Sequence, residues 1–358
     1  MSTERKNGLD FLRFAACIGI LFLHFSNYFC PDGVFFGNYL IDAESDNNIG
    51  INMNVMVEIF FALSGYLLYY HTPKGKDLPS LRSFILPKLI RIIPMLTVGT
   101  ILWTIAAYCI ANSGNNHGLN ITYPYLWGII SSCLGLEYSG FFIPADIFRE
   151  GWYLDVLIEC YFLYYIIIKT TRRFGINEKL IVFFAILLGA FIFDCETGFL
   201  SSFMLVGRGL EAFFSGVLVA TLNRDHAGNK LCIYCLIPLI AYLICLLLCP
   251  LLLSFGKTHL INLLITPCLI TILTSSTADI IFRWKGWRML GQISYSTYIL
   301  HIPAILFIFV ITDKMAIIID YAHEVILFSF ICISIIIGFA AYYLIERPIT
   351  KRLTTIIR

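Results

Sequence analysis

Charge is what this chain has least of. Asp, Glu, Lys and Arg together make up 13% of its 358 residues, against 59% hydrophobic residues, and its mean hydropathy is +0.82. A soluble domain of that composition would lack the polar surface that water requires. Apolar runs long enough to cross a bilayer recur along the whole length, so the expected fold class is an all-α, polytopic integral membrane protein. Nor is there an excess of one sign. A net charge of +2 gives no basis for a nucleic-acid partner.

Other absences narrow the organisation. No loop or terminus has room for a soluble domain, so residues 1–358 are expected to form one transmembrane domain. The first apolar run has no small-residue cleavage site before Asp32 and contains Arg13, which fits a first transmembrane helix rather than a signal peptide. Twelve cysteines are present, but only Cys232 and Cys235 form a C-x-x-C. That pair lies inside an apolar run with no second pair nearby, so it reads as small apolar filler, and no metal site is expected. No inverted repeat of the transporter kind stands out.

What is there divides into ten expected spans: about 9–29, 50–70, 86–111, 152–168, 179–194, 203–222, 231–253, 259–277, 290–311 and 324–345. Alternate segments then hold 20 of the 25 Lys and Arg residues, while the opposite loops hold only Arg149, Lys257 and Lys314. By the positive-inside rule both termini are cytoplasmic. The first outer loop is acidic (Asp32, Asp42, Glu44, Asp46). The second, about 112–150, is rich in aromatics (Tyr123, Tyr125, Trp127, Phe141, Phe142) and contains His117. Its apolar piece at 126–136 is too short to span, so it lies at the interface or re-enters. The aromatics suit stacking on sugar rings and an interfacial belt equally well.

Ionisable residues inside the spans carry the functional argument, because each needs a partner, a watery cavity or a task. Arg13 and His24 stand eleven residues apart with only apolar residues and Gly between them. On a helix that spacing returns both to one face, roughly 16 Å apart along the axis. Glu58 lies in the second span, followed by Ser64-Gly65, a small surface suited to close helix approach. Lys88 and Arg91 share a face at the cytoplasmic mouth of the third span, either as positive-inside flanks or as a grip on the phosphates of a cytoplasmic ligand. Asp155 and Glu159 share a face in the fourth span, and Arg208 and Glu211, three apart, read as a local ion pair. The ninth span contributes Tyr295, Tyr298 and His301, and the chain closes on Glu346-Arg347-Pro348.

In this order the motifs resemble the membrane-bound acyltransferase 3 family, ten-helix enzymes that O-acylate bacterial surface glycans. They are the Arg-x10-His of Arg13 and His24, the acid–Phe-Phe–Leu-Ser-Gly block from Glu58, the basic pair before Pro94, Trp152-x-Leu-x4-Glu159, Leu290-Gly-x-x-Ser-Tyr-x-x-Tyr-x-x-His301 and the terminal Glu-Arg-Pro. Any one is weak, but six in register are specific. The departures are Lys88 where the family has arginine, Pro87 where a basic residue is common, Glu58 for aspartate and Met56 for glycine. Lysine keeps the charge but loses the planar fork.

The resemblance implies a multi-pass inner-membrane enzyme. Its donor substrate is acyl-CoA, most often acetyl-CoA, with no permanently bound cofactor. Its acceptor is a carbohydrate hydroxyl on the far side, in O-antigen, capsule or exopolysaccharide, with a lipid-linked form among the candidates. His24 is then the expected base. Glu159 orients His24 or the acceptor, and Arg13, Lys88 and Arg91 serve the acyl-CoA. Glu58, Ser64, Tyr295 and His301 support the site, with Glu58 paired to a cation and His301 packing as a satisfied polar group. A proton-coupled exporter or glycan flippase, using the same intramembrane His, Glu and Arg, is the alternative. No residue pattern specifies an oligomeric state.

Overall fold

In a computed structural model of the chain, the residues described are 6–30, 32, 34–36, 39–41, 53–73, 75, 77–112, 125–141, 147–225, 229–248, 257–315, 317, 319 and 321–357. Asp42, Glu44, Asp46, His117, Tyr123 and Phe142 lie outside them.

Among the described residues the architecture is all-α apart from two short strands, β1 (Val34–Phe36) paired antiparallel with β2 (Tyr39–Ile41). Residues 50–52 and 249–253 lie outside the described residues, and the described part of each of the ten apolar runs coincides with a helix or with a nearly continuous helical segment. They are α1 (Asn7–Phe29), α2 (Met56–His71), α3 (Leu81–Ala111), α5 (Trp152–Phe174), α6 (Glu178–Phe193), α7 (Met204–Asp225) and α8 (Asn229–Leu248). The ninth run follows the short α11 (Ser276–Ile281) as α12 (Gly286–Met315). Between α8 and α11 come α9 (Lys257–Leu260), a π-turn and α10 (Thr266–Leu273). The last run is α13 (Glu324–Ala341), which passes through a second π-turn into α14 (Arg347–Ile357). Among the described residues, seven helices are long and apolar enough to cross a membrane. The apolar piece at 126–136 is the short helix α4 (Leu126–Leu134).

Local chemistry sets the ends. Ser80 caps α3 by accepting from the Ser83 N–H, and Asn177 caps α6 by accepting from the Lys179 N–H. Gly135 closes α4 at φ +68°, with its own N–H on the Ser132 carbonyl and the Leu136 N–H on Ser131, a Schellman arrangement that favours glycine. Pro87 and Pro94 in α3, Pro238 in α8 and Pro303 in α12 leave those helices continuous. Large apolar side chains such as Phe184, Leu188 and Phe191 on α6 and Ile233, Ile237 and Ile240 on α8 are exposed, as lipid-facing surfaces must be.

The chain's contacts fall into two compact units, and α1, α5 and α12 each contribute residues to both. The first comprises 1–19, 44–79 and 160–292. Its tightest packing is α2 on α7. A Cβ at Gly65 would run into the carbonyl of Phe213, and one at Gly216 into the carbonyl of Ala62. Glycine at both places lets two backbones meet, the usual basis of close helix pairing in lipid.

The second unit comprises 20–43, 80–159 and 293–358. Here α12 is approached closely from two sides, by Gly99 of α3 at Ile299 and by Gly338 of α13 at Thr297. Aromatic pairs join the C-terminal half of α1 to its neighbours: Phe25 with Phe330 on α13 and Phe29 with Phe309 on α12. The loop around α4 is tied down by two buried carboxylates. Glu137 accepts from Ser132 and from the Ile147 N–H, and Asp155 accepts from the Tyr138 N–H at 2.9 Å.

Candidate active site

The candidates divide between the units: Arg13, Glu58 and Ser64 belong to the first, and His24, Lys88, Arg91, Glu159, Tyr295 and His301 to the second.

Within the second unit, α1 and α12 bring two of them together. His24 is half-buried and His301 fully buried, with His24 Nδ1 2.6 Å from His301 Nε2. The rings lie within 5° of coplanar with centroids 4.9 Å apart, as two imidazoles joined edge to edge by one hydrogen bond require; a face-to-face stack would not place the nitrogens so close. His301 Nδ1 in turn lies 2.5 Å from the Tyr298 carbonyl one turn earlier. Among the described residues, nothing hydrogen-bonds to His24 Nε2.

Around this pair stand further residues, of which Tyr28, Glu150 and Tyr153 were passed over in the sequence. Tyr28, one turn beyond His24 on the same face of α1, donates to the Glu150 carboxylate at 2.8 Å. The Tyr298 hydroxyl donates to the Glu150 carbonyl at 2.6 Å, and its ring meets Tyr153 edge-on at 5.8 Å. Glu150 belongs to the 3₁₀ turn Arg149–Gly151 that opens into α5. The Arg149 guanidinium acts electrostatically on both His24 and Tyr28. The i, i+4 spacing of His24 and Tyr28 was visible in the sequence. The Glu150 partnership, 122 residues away, was not.

Glu159 is half-buried on α5, and among the described residues no hydrogen bond joins it to His24. Asp155, one turn earlier, is occupied with the Tyr138 backbone. Lys88 is turned along its own helix: its ammonium donates to the Phe84 carbonyl at 2.7 Å and lies 3.6 Å from the centre of the Phe84 ring. Arg91, on the next turn, is exposed and acts electrostatically on Tyr295 and Glu346. Tyr295 donates to the Ile92 carbonyl inside α3, and Glu346 accepts from Ser296 at 2.5 Å, so α12 is bonded to α3 and to the turn before α14.

In the first unit, Arg13 reaches back one turn to the buried Asp10 at 3.4 Å, an i−3 partner that the sequence displayed. Ser64 is half-buried beside the Gly65 contact. Glu58, fully buried, receives the Arg208 Nε at 2.5 Å, while another Arg208 nitrogen bonds the Asn54 carbonyl. The expected ion pair between Arg208 and Glu211 is therefore corrected. Glu211 is bound instead by His259 at 2.8 Å and Asn262 at 3.2 Å, and His259 also meets Asp194 at 3.0 Å. Both carboxylates are fully buried, and helix packing sets Arg208 against Glu58 while Glu211 is taken by α9 and the π-turn. Cys232 and Cys235 are both free thiols, and among the described residues no group of His, Cys, Asp and Glu is arranged to hold a metal ion.

Comparison with curated proteins and with solved structures gives no match. A family model described as an acyltransferase domain matches residues 6–346, nearly the whole chain, including both histidines, the basic pair of α3 and Glu346. The chain belongs to the acyltransferase 3 family and is a multi-pass membrane acyltransferase.

Proposed function

We propose that the protein moves an acyl group, acetyl foremost, from cytoplasmic acyl-CoA to a hydroxyl of a surface or exported carbohydrate on the outer face of a bacterial inner membrane. The acceptor is a polymer or its lipid-linked precursor. The observation that carries this reading is His24, a half-buried imidazole on a membrane-crossing helix, held through one nitrogen by His301 and with no partner at the other among the described residues. A group so placed suits general-base work.

In this reading the acceptor hydroxyl loses its proton to His24 as its oxygen attacks the thioester carbonyl. The new C–O bond forms, the C–S bond breaks, and the His24 imidazolium returns the proton to the departing CoA thiolate. The step needs no further reactant. Glu159 binds the acceptor. Arg13 lines the path of the acyl-CoA arm, and Lys88 and Arg91 hold its phosphates from the cytoplasmic side. For Lys88 that requires leaving the Phe84 carbonyl, whereas Arg91 is already exposed.

The test is transfer of labelled acetyl from acetyl-CoA by protein purified in detergent, with carbohydrate acceptor and with water as acceptor. His24→Ala is expected to lose at least ~10²-fold in kcat while acetyl-CoA still binds. Purified protein that neither binds nor cleaves acetyl-CoA would favour an exporter or flippase, which has no use for a thioester.

A further inference from the structure

The hydrogen bonds around His301 fix more than its own position. A carbonyl oxygen only accepts, so the 2.5 Å contact between His301 Nδ1 and the Tyr298 carbonyl places a proton on Nδ1. That carbonyl is three residues back on α12 and cannot rotate away. Tyr298 is itself pinned through its hydroxyl to the Glu150 carbonyl. Turning the His301 ring over would set a C–H against Tyr298 and another against His24, losing both bonds.

A neutral imidazole carries one N–H, so His301 Nε2 presents a lone pair. It lies 2.6 Å from His24 Nδ1, in the plane of both rings. His24 must then be the donor, with its proton on Nδ1 and its own lone pair on Nε2. The bond that holds the ring therefore also chooses its tautomer.

We infer that His301 is a positioning residue that holds His24 as the Nδ1–H tautomer, aiming the Nε2 lone pair at the acceptor hydroxyl; this rests on the base role proposed for His24. It reverses the sequence expectation of His301 as a packing residue. When Nε2 takes the hydroxyl proton, the Nδ1–H bond to His301 persists, so the imidazolium keeps its orientation until the proton leaves with the thiol. In the Ser-His-Asp triads a buried carboxylate orients the histidine, and the wrong tautomer there costs about 10⁴-fold in kcat. Here a neutral imidazole, itself oriented by a backbone carbonyl, takes that place.

Three substitutions separate orientation from packing. His301→Ala removes the acceptor. His301→Asn keeps a donor for the Tyr298 carbonyl but stops short of His24. His301→Gln carries an amide oxygen to the position of Nε2 and can still accept from His24. Acetyl-CoA turnover by the purified full-length proteins should fall at least ~10-fold in kcat for Ala and Asn with KM for acetyl-CoA unchanged, and Gln should recover most of it. The independent readout is the ring-nitrogen NMR spectrum of histidine-labelled protein, with His24 identified among the seven histidines by its loss in His24→Ala. His24 should read as Nδ1–H in wild type and Gln, and lose that signature in Asn and Ala. Wild-type kcat and an unchanged His24 tautomer in His301→Asn would overturn the inference while leaving His24 as base. Full activity in His24→Ala would overturn the base role beneath it instead. Should His301→Ala fail to fold, the contrast between Asn and Gln decides alone.

Discussion

Two ionisable side chains within the apolar helices, Glu58 and His24, find their partners far along the chain. Glu58 is fully buried and bonded to Arg208, 150 residues away; His24 meets His301 across 277. Removing one partner of a buried pair strands the other, which typically costs about 3–5 kcal/mol, while replacing both by neutral groups costs far less. We therefore expect Arg208→Gln to reduce the amount of folded protein in the membrane, and Glu58→Gln/Arg208→Gln to recover part of it. A double substitution as destabilised as the two single ones added together, measured by thermal unfolding in detergent, would mean that the pair contributes no coupling. That these residues needed partners was legible in the sequence, because charge in an apolar run is expensive. Which partners they would choose was not, since the choice depends on which helices touch: spacing offered Glu211 to Arg208, and packing offered Glu58.

Helices were the most legible level. The apolar runs predicted helices, because a bilayer forces the backbone to satisfy itself within each crossing and leaves few alternatives; of the ten expected spans, seven helices among the described residues are long and apolar enough to cross. Less legible was how closely helices approach. Ser64-Gly65 advertised a small surface, and Ser215-Gly216 offers the same pair of small residues in α7, but neither names the other as its partner. The α2–α7 contact leaves no room for a Cβ at either glycine. Gly216→Leu is accordingly expected to force the two helices apart and deplete the protein from the membrane. The same change at Gly175, where a Cβ would meet nothing within 4 Å, should cost only its backbone strain at φ +63°. Equal membrane levels of the Gly216→Leu and wild-type proteins would show that α2 and α7 can separate without loss. The aromatic segment before α5 was legible only as a loop with a short apolar piece. The carboxylates of Glu137 and Asp155, which fasten it, answer backbone N–H groups rather than charges, and no residue-type pattern encodes that.

For the molecule as a whole, the distribution of Lys and Arg predicts an orientation that labelling can check. In a background freed of reactive cysteines, Thr170→Cys near the end of α5 should react only with reagents that reach the cytoplasmic side. Met315→Cys at the end of α12 should react only from outside. The reverse pattern would place the acyl-CoA entrance on the wrong side and with it the route proposed for the donor. The pairing of Glu58 with Arg208 also has a consequence for how the protein is made. A ribosome adding about 5–20 residues per second needs roughly 8–30 s to deliver the arginine after the glutamate. Through that interval α2 is a newborn helix with a carboxyl group and no counter-ion, and α7 has yet to offer the glycine that α2 docks on. Something must shelter α2 at the insertion machinery until α7 emerges, so biogenesis of this enzyme should be unusually sensitive to a stalled or truncated message that ends between the two.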